Sequence, residues 1–210
     1  MDGDFPAAHS MDTRWYAIDE AGHLGVFSSG ENGHVPELAV IDDLALELWR
    51  VRHPDRADSE GSLWGLEGEE IADELGAFIF YYGLEFDPIG TYGVTGTPKT
   101  PLHVDQLPPE LRQRWKEIRF RTVDFSQIMA LQPLEYGPCV YWYEEDRVAY
   151  LCSDDKTVRP IPGMEHRFAE FCKQFREENP EEAKQFIFEE PQEKLKKPRR
   201  RRRKENEDGK

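Results

Sequence analysis

The residues with the clearest chemical potential in this sequence are nine cations that fall within eleven positions near its end. Such a density of positive charge binds polyanions by displacing the counterions condensed on their phosphates, which gives affinity with little sequence preference and a steep salt dependence. We expect RNA or DNA to bind here without base stacking, since no aromatic side chain lies among the cations. The alternatives are a tether to the chain's own acidic part or, in a eukaryotic cell, a nuclear localisation signal. The cations are Lys194, Lys196, Lys197, Arg199, Arg200, Arg201, Arg202, Arg203 and Lys204.

A second group of polar residues could line a catalytic pocket if two loops met in the fold. The loops span residues 28–36 and 83–105, and they combine glycine and proline with groups that can move protons or hold a metal ion. Loops of this kind often carry function. The candidate pocket residues are Glu31, His34, His103 and Asp105. This enzyme hypothesis requires the fold to bring His34 and His103 to the same side.

Complete catalytic and metal-binding patterns are missing from the sequence. The glycines before Lys99 stand in the wrong register for a phosphate-binding P-loop, and there is no Gly-x-Ser-x-Gly nucleophile elbow. His103 and Asp105 lack a second pair that would complete a metal site. The cysteines form no Cys-x-x-Cys pair, so we expect buried thiols rather than disulfides or a zinc site; they are Cys139, Cys152 and Cys172. These observations favour a protein without catalytic residues, cofactor or bound metal.

The charge of the chain is divided between two parts. Residues 1–188 contain 36 acidic and 17 basic side chains, whereas residues 189–210 contain 6 acidic and 10 basic ones. An acidic body repels nucleic acid, so its binding should be confined to the tail. The same body suits a basic protein partner, because complementary charge speeds encounter and disfavours wrong pairings. The sequence carries no signal for an oligomeric state.

These charges predict a non-enzymatic binding or adaptor protein. Its acidic body would engage a protein partner, and its basic tail would engage a polyanion such as RNA or DNA. An immunity-like inhibitor, whose acidic body masks a basic toxin, is an alternative within the same class of interaction.

The elements that must position these residues follow from hydrophobic periodicity. Alternating apolar residues predict one hairpin over 14–27, with its turn near residues 19–22, and a second over 139–152. Apolar spacings of three and four predict a helix over 37–51 and another along Phe168–Phe175. The periodicity of residues 77–82 fits either a strand or the continuation of a helix over 69–75.

Proline marks the starts of two further helices. Pro108 and Pro109 predict a helix to about Arg119, and Asn179 followed by Pro180 predicts a last short helix to about Phe188.

Together these elements predict an α+β fold, in which two β-hairpin regions pack with several amphipathic helices. We expect a flexible N-terminus over 1–12, one α+β domain over 13–188 with a possible internal boundary near 53–62, and a disordered basic tail over 189–210. No run of about 18 apolar residues could cross a membrane, so we expect no membrane association. The first residues lack the basic and apolar regions of a signal peptide, which predicts a cytoplasmic protein, or a nuclear one in a eukaryote.

The segment Trp15–Pro36 resembles the opening of a group of uncharacterised bacterial proteins. The shared pattern is a Trp-aromatic-Ala-[Ile/Val]-Asp strand, a Gly-His turn exit, and a Gly-Glu-x-Gly loop before a proline. A looser similarity continues over residues 105–112 and 158–163. The resemblance implies a bacterial cytosolic protein, brings no activity or functional residue with it, and does not include the basic tail.

Overall fold

The computed structural model of the chain describes residues 13–30, 33–39, 43–56, 66, 68–83, 90–143, 147–151, 156–160 and 165–189. Two five-stranded sheets and five α-helices are found in these residues, which confirms the α+β class. The strands are β1 (Arg14–Ile18), β2 (Leu24–Ser28), β3 (Val35–Pro36), β4 (Phe78–Tyr82), β5 (Tyr92–Gly96), β6 (Ala130–Leu131), β7 (Cys139–Tyr143), β8 (Arg147–Leu151), β9 (Thr157–Pro160) and β10 (Ile187–Phe188). The helices are α1 (Leu44–Arg52), α2 (Gly68–Leu75), α3 (Pro109–Trp115), α4 (Glu165–Glu178) and α5 (Pro180–Ala183).

The first sheet has the strand order β1-β2-β4-β5-β6. Its β1–β2 hairpin is the predicted one, with Trp15 opposite Phe27 and Ile18 opposite Leu24. Strand β4 runs parallel to β2, so the chain has to cross from one end of the sheet to the other between them. Helices α1 and α2 lie in this crossover, on either side of residues 53–62.

Both faces of the first sheet are buried, because successive side chains of a strand point to opposite faces. One face carries Tyr16, Ile18 and Val26 and packs against α1, α2 and α3. The other carries an aromatic ladder across three strands, in which Phe27 stacks on Trp15 at 3.9 Å and on Phe80 at 4.3 Å between ring centroids. The two aromatic residues of β1, Trp15 and Tyr16, are therefore buried on opposite faces of the sheet.

The second sheet has the order β10-β9-β8-β7-β3, and its β7–β8 hairpin was also predicted. Helix α4 packs its apolar stripe on this sheet, with Phe168, Phe171 and Cys172 fully buried. The thiols of Cys139 and Cys172 are buried, as expected, and form no disulfide, whereas Cys152 and the side chains of residues 141–143 lie outside the described part.

Three helix predictions need correction at their ends. The helix expected over 37–51 begins only at Leu44, and Leu38 is 70% exposed. The helix expected to reach Arg119 ends at Trp115. The helix expected to continue to Phe188 is a single turn over Pro180–Ala183, and Ile187–Phe188 is a strand instead.

Residues 78–82 form a strand, which resolves the alternative left open by their periodicity. Helix α2 ends at Leu75 because Gly76 adopts a left-handed backbone with φ of 64°. A side chain there would also collide with the Arg52 guanidinium. Within the described residues, no helix is long and apolar enough to span a lipid bilayer.

Candidate functional site

The structure places His34 and His103 at opposite ends of the first hairpin. The backbone of His103 forms an isolated β-bridge with that of His23, which precedes β2. His34 lies beyond the other end of this strand, because its neighbour Gly33 donates its N–H to the carbonyl of Ser29, just after β2, at 2.8 Å. The five residues of β2 separate these ends by about 16 Å. The two histidines therefore do not share a pocket, and Glu31 lies outside the described residues.

His34 is a core residue rather than a solvent-facing acid or base. It is 2% exposed, and its ring packs against Gly90 so closely that a Cβ on the glycine would lie 2.1 Å from Nδ1. The Tyr92 hydroxyl accepts from the Trp15 indole N–H at 3.1 Å and donates to the His34 carbonyl at 2.8 Å. Burial lowers the pKa of His34 to about 3, so its ring is neutral at physiological pH.

Both ring nitrogens of His103 form hydrogen bonds with backbone groups. Its Nε2 lies 2.7 Å from the Ala21 carbonyl, and its Nδ1 accepts the Asp105 N–H at 3.1 Å, which together fix the neutral tautomer with the proton on Nε2. The Asp105 carboxylate pairs with Lys116 at 3.2 Å, and this hydrogen bond holds the pKa of Asp105 below its ordinary value. His103 and Asp105 are adjacent, but they brace the hairpin turn instead of leaving ligand atoms free for a metal.

A cluster that the sequence did not reveal lies beside this turn, and it consists of Asp19, His23 and Asp124. Asp19 follows β1, His23 precedes β2, and Asp124 comes from the segment after α3. One nitrogen or oxygen atom from each residue lies within 4.8 Å of the other two. The spacing of Asp19 and His23 around a turn is visible in the sequence, but their contact with Asp124 depends on the fold.

The Asp19 carboxylate is fully buried and is held by two elements. Its Oδ1 accepts the His23 N–H at 2.8 Å, and its Oδ2 accepts the Phe125 N–H at 3.1 Å. The His23 Nδ1 lies 3.1 Å from the same Oδ2, and the His23 side chain is 28% exposed. This is an oriented carboxylate–imidazole pair with one side open to solvent.

Asp124 completes the cluster in its charged form. Its Oδ1 accepts from the Ser126 hydroxyl at 2.6 Å and from the Ser126 N–H at 2.9 Å. These two hydrogen bonds, with a smaller effect of the nearby His23, hold the pKa of Asp124 below its ordinary value. The cluster thus offers an imidazole nitrogen and two carboxylates to a cation.

A cavity of about 230 Å³ opens on the other end of the same sheet, between its α1–α2 face and the two helices. Apolar side chains form most of its wall, and polar groups from three neighbouring strands form a row at one side, since Arg14 lies opposite Ser28 and Ser28 opposite Tyr81. The remaining lining residues are Val26, Ala45, Gly68, Ile71, Leu75, Ile79, Phe80 and Thr95.

Three exposed acidic residues lie at this cavity end of the sheet, and they are Asp43 at the start of α1 and Glu69 and Glu70 at the start of α2. The described residues up to 188 contain 21 acidic and 17 basic side chains, whereas residues 1–188 as a whole contain 36 and 17. Most of the acidic surplus of residues 1–188 therefore belongs to segments outside the described residues.

Comparisons of the chain with protein-family models, curated proteins and solved structures found no match. The bacterial resemblance of Trp15–Pro36 therefore stays an expectation, and the function has to be argued from the geometry of the chain itself.

Proposed function

We propose that this chain is a non-enzymatic binding protein whose acidic body engages a basic protein partner at the cavity end of the first sheet. The observation that carries the proposal is the group of three exposed acidic residues at that end, Asp43, Glu69 and Glu70. A patch of one sign raises the encounter rate with a partner of the opposite sign. The adjoining cavity offers an apolar surface for side chains of that partner.

The geometry of the predicted pocket residues also favours binding over catalysis. His34 is enclosed in the core, and both ring nitrogens of His103 face backbone groups. Neither ring has the combination of access and a neighbouring nucleophile that acid–base catalysis requires. This arrangement supports a protein that acts through its surface.

Charge neutralisation tests the proposed surface. A fluorescent lysine-rich peptide serves as the probe, and its anisotropy is followed at several salt concentrations. Replacing both α2 glutamates, Glu69→Gln with Glu70→Gln, should weaken binding about fivefold at low salt, because two favourable charges are removed from the contact. The matched control is Glu177→Gln with Glu178→Gln on α4, which removes the same charge elsewhere and should change binding less than about twofold. Equal effects of the two double variants would refute a localised site.

For the tail, we propose binding to a polyanion such as RNA or DNA. Its cations Lys194–Lys204 lie outside the described residues, and the support is their density in the sequence. Removal of residues 190–210 tests this proposal and keeps Glu189 in place. The Glu189 carboxylate forms an ion pair at 3.2 Å with Arg159 of β9.

Binding of a labelled single-stranded RNA is then measured between 50 and 200 mM salt for the full and the shortened chain. The full chain should bind, with an affinity that falls at least about tenfold over this range, and the shortened chain should not. Unchanged binding after the deletion, or no binding by the full chain, would remove this half of the proposal.

A further inference from the structure

We propose that Asp19, His23 and Asp124 bind one divalent transition-metal ion, with Zn²⁺ as the best match. The site is separate from the proposed partner surface, because it lies at the hairpin-turn end of the first sheet and the cavity lies at the other end. It also revises the expectation from the sequence, which gave no reason to expect a metal. Two chain segments supply its ligands, the β1–β2 turn with Asp19 and His23 and the segment after α3 with Asp124, so their meeting becomes visible only in the fold.

The distances allow a shared ion after small movements of the ligands. Zn²⁺ is bound at about 2.0–2.2 Å from nitrogen and oxygen ligands, so neighbouring ligand atoms of a tetrahedral site stand about 3.3–3.6 Å apart. The 3.1 Å between the Asp19 Oδ2 and the His23 Nδ1 is slightly shorter than this range. The atom from Asp124 is within 4.8 Å of both, so its half-buried side chain would approach them by at most about 1.2 Å.

The ligands are oriented by groups behind them. Each carboxylate oxygen has two lone pairs, and the backbone N–H groups of His23 and Phe125 occupy one on each oxygen of Asp19. The second lone pair of Oδ2 faces the His23 Nδ1 at 3.1 Å, and an ion bound there would be shared by the two atoms. Ser126 fixes Asp124 in the same way. Such outer hydrogen bonds reduce the reorganisation that metal binding requires and raise affinity.

The ligand types select the ion. One imidazole nitrogen and two carboxylate oxygens, without a thiolate, suit Zn²⁺ better than soft Cu⁺, and the nitrogen ligand disfavours Ca²⁺ and Mg²⁺. Solvent reaches the cluster past the partly exposed His23, so water can fill the remaining coordination positions.

Calorimetric titration of the full chain with ZnCl₂ tests the site. We expect one tightly bound ion per chain, and a loss of at least tenfold in affinity in His23→Gln and in Asp124→Asn. The matched control is Asp105→Asn, which removes an exposed carboxylate next to another histidine and should alter affinity less than twofold. Absence of Zn²⁺ binding, or equal affinity in Asp124→Asn and the unaltered chain, would overturn the proposal.

A second measurement protects the test against a folding defect. Zn²⁺ should raise the thermal unfolding midpoint of the unaltered chain and of Asp105→Asn, but not of Asp124→Asn, whose half-buried amide keeps the shape of the carboxylate. Far-UV circular dichroism before the titration establishes that each variant is folded. If His23→Gln does not fold, Asp124→Asn decides the outcome. An equal rise in all chains would place the ion elsewhere and overturn the site.

Discussion

The buried ring of His34 should make the stability of the protein depend on pH. The folded state lowers its pKa from 6.5 to about 3, so below pH 6.5 the unfolded chain takes up a proton that the folded chain does not. Stability from this residue is complete above pH 6.5 and is lost as the pH falls towards 3. Between pH 6.5 and 4.5 the loss should be about 2 kcal/mol.

Urea unfolding at both pH values checks this, with His34→Gln as the comparison. We expect the variant to be less stable at both pH values and its pH dependence to be smaller by the same amount, because all other titrating groups are unchanged. Equal pH dependence in the two chains would contradict the assignment.

Asp19 should matter more for stability than any exposed carboxylate near it. Asp19→Ala leaves the buried N–H groups of His23 and Phe125 without their acceptor, and we expect a loss of about 3 kcal/mol in the free energy of unfolding. Asp105→Ala breaks only exposed pairs with Lys116 and His103 and should cost much less. Denaturant titrations of the two variants measure the difference, and similar losses would contradict the role of Asp19.

The sequence predicted where some of these residues lie but not what they contact. Asp19 was expected in the first turn, and it is there. Its pairing with Phe125 and the approach of Asp124 join positions about a hundred residues apart, and no local periodicity encodes such contacts. His34 and His103 looked equivalent as loop histidines. Only the fold shows that one is enclosed in a core and the other braces a turn.

At the scale of elements, the hairpins were predictable because alternation and turn residues are local signals. The late start of α1 was not predictable, because Pro36 belongs to β3 and pairs with Cys139 of the second sheet. The last strand was missed for a similar reason. Phe188 packs on Phe175 of α4 at 5.8 Å, and this tertiary contact outweighs the helical pattern that begins at Pro180.

The start of α1 can be tested at its cap. The Asp43 carboxylate accepts the Leu46 N–H at 3.1 Å, and it satisfies one of the free donors of the first turn. Asp43→Ala should lower the free energy of unfolding by about 1 kcal/mol, and Asp43→Ser should restore most of it. Asp55→Ala, at an exposed position just beyond α1, is the control and should have little effect. If a cap further upstream began the helix, Asp43→Ala would also have little effect.

At the scale of the whole molecule, a short strand couples the two sheets. Val35 is buried in the aromatic core of the first sheet, and its backbone pairs with Val140 in the second. Tyr136 adds an edge-to-face contact with Phe120 at 5.0 Å, also between the two regions. Because Val35 lies in the aromatic core of the first sheet and pairs with a strand of the second, a defect in one sheet should be felt by the other.

We therefore expect the chain to unfold in one transition. Phe171→Ala removes a buried ring from the second core, and Trp115→Ala removes one from the first; each should lower the free energy of unfolding by about 3–5 kcal/mol. Tryptophan fluorescence reports mainly on the first region, where Trp15, Trp49 and Trp115 are buried, whereas far-UV circular dichroism reports on both. The two signals should change together in Phe171→Ala. A circular dichroism change that precedes the fluorescence change would show that the second sheet and α4 unfold alone, and that the β3 pairing is too weak to couple the cores.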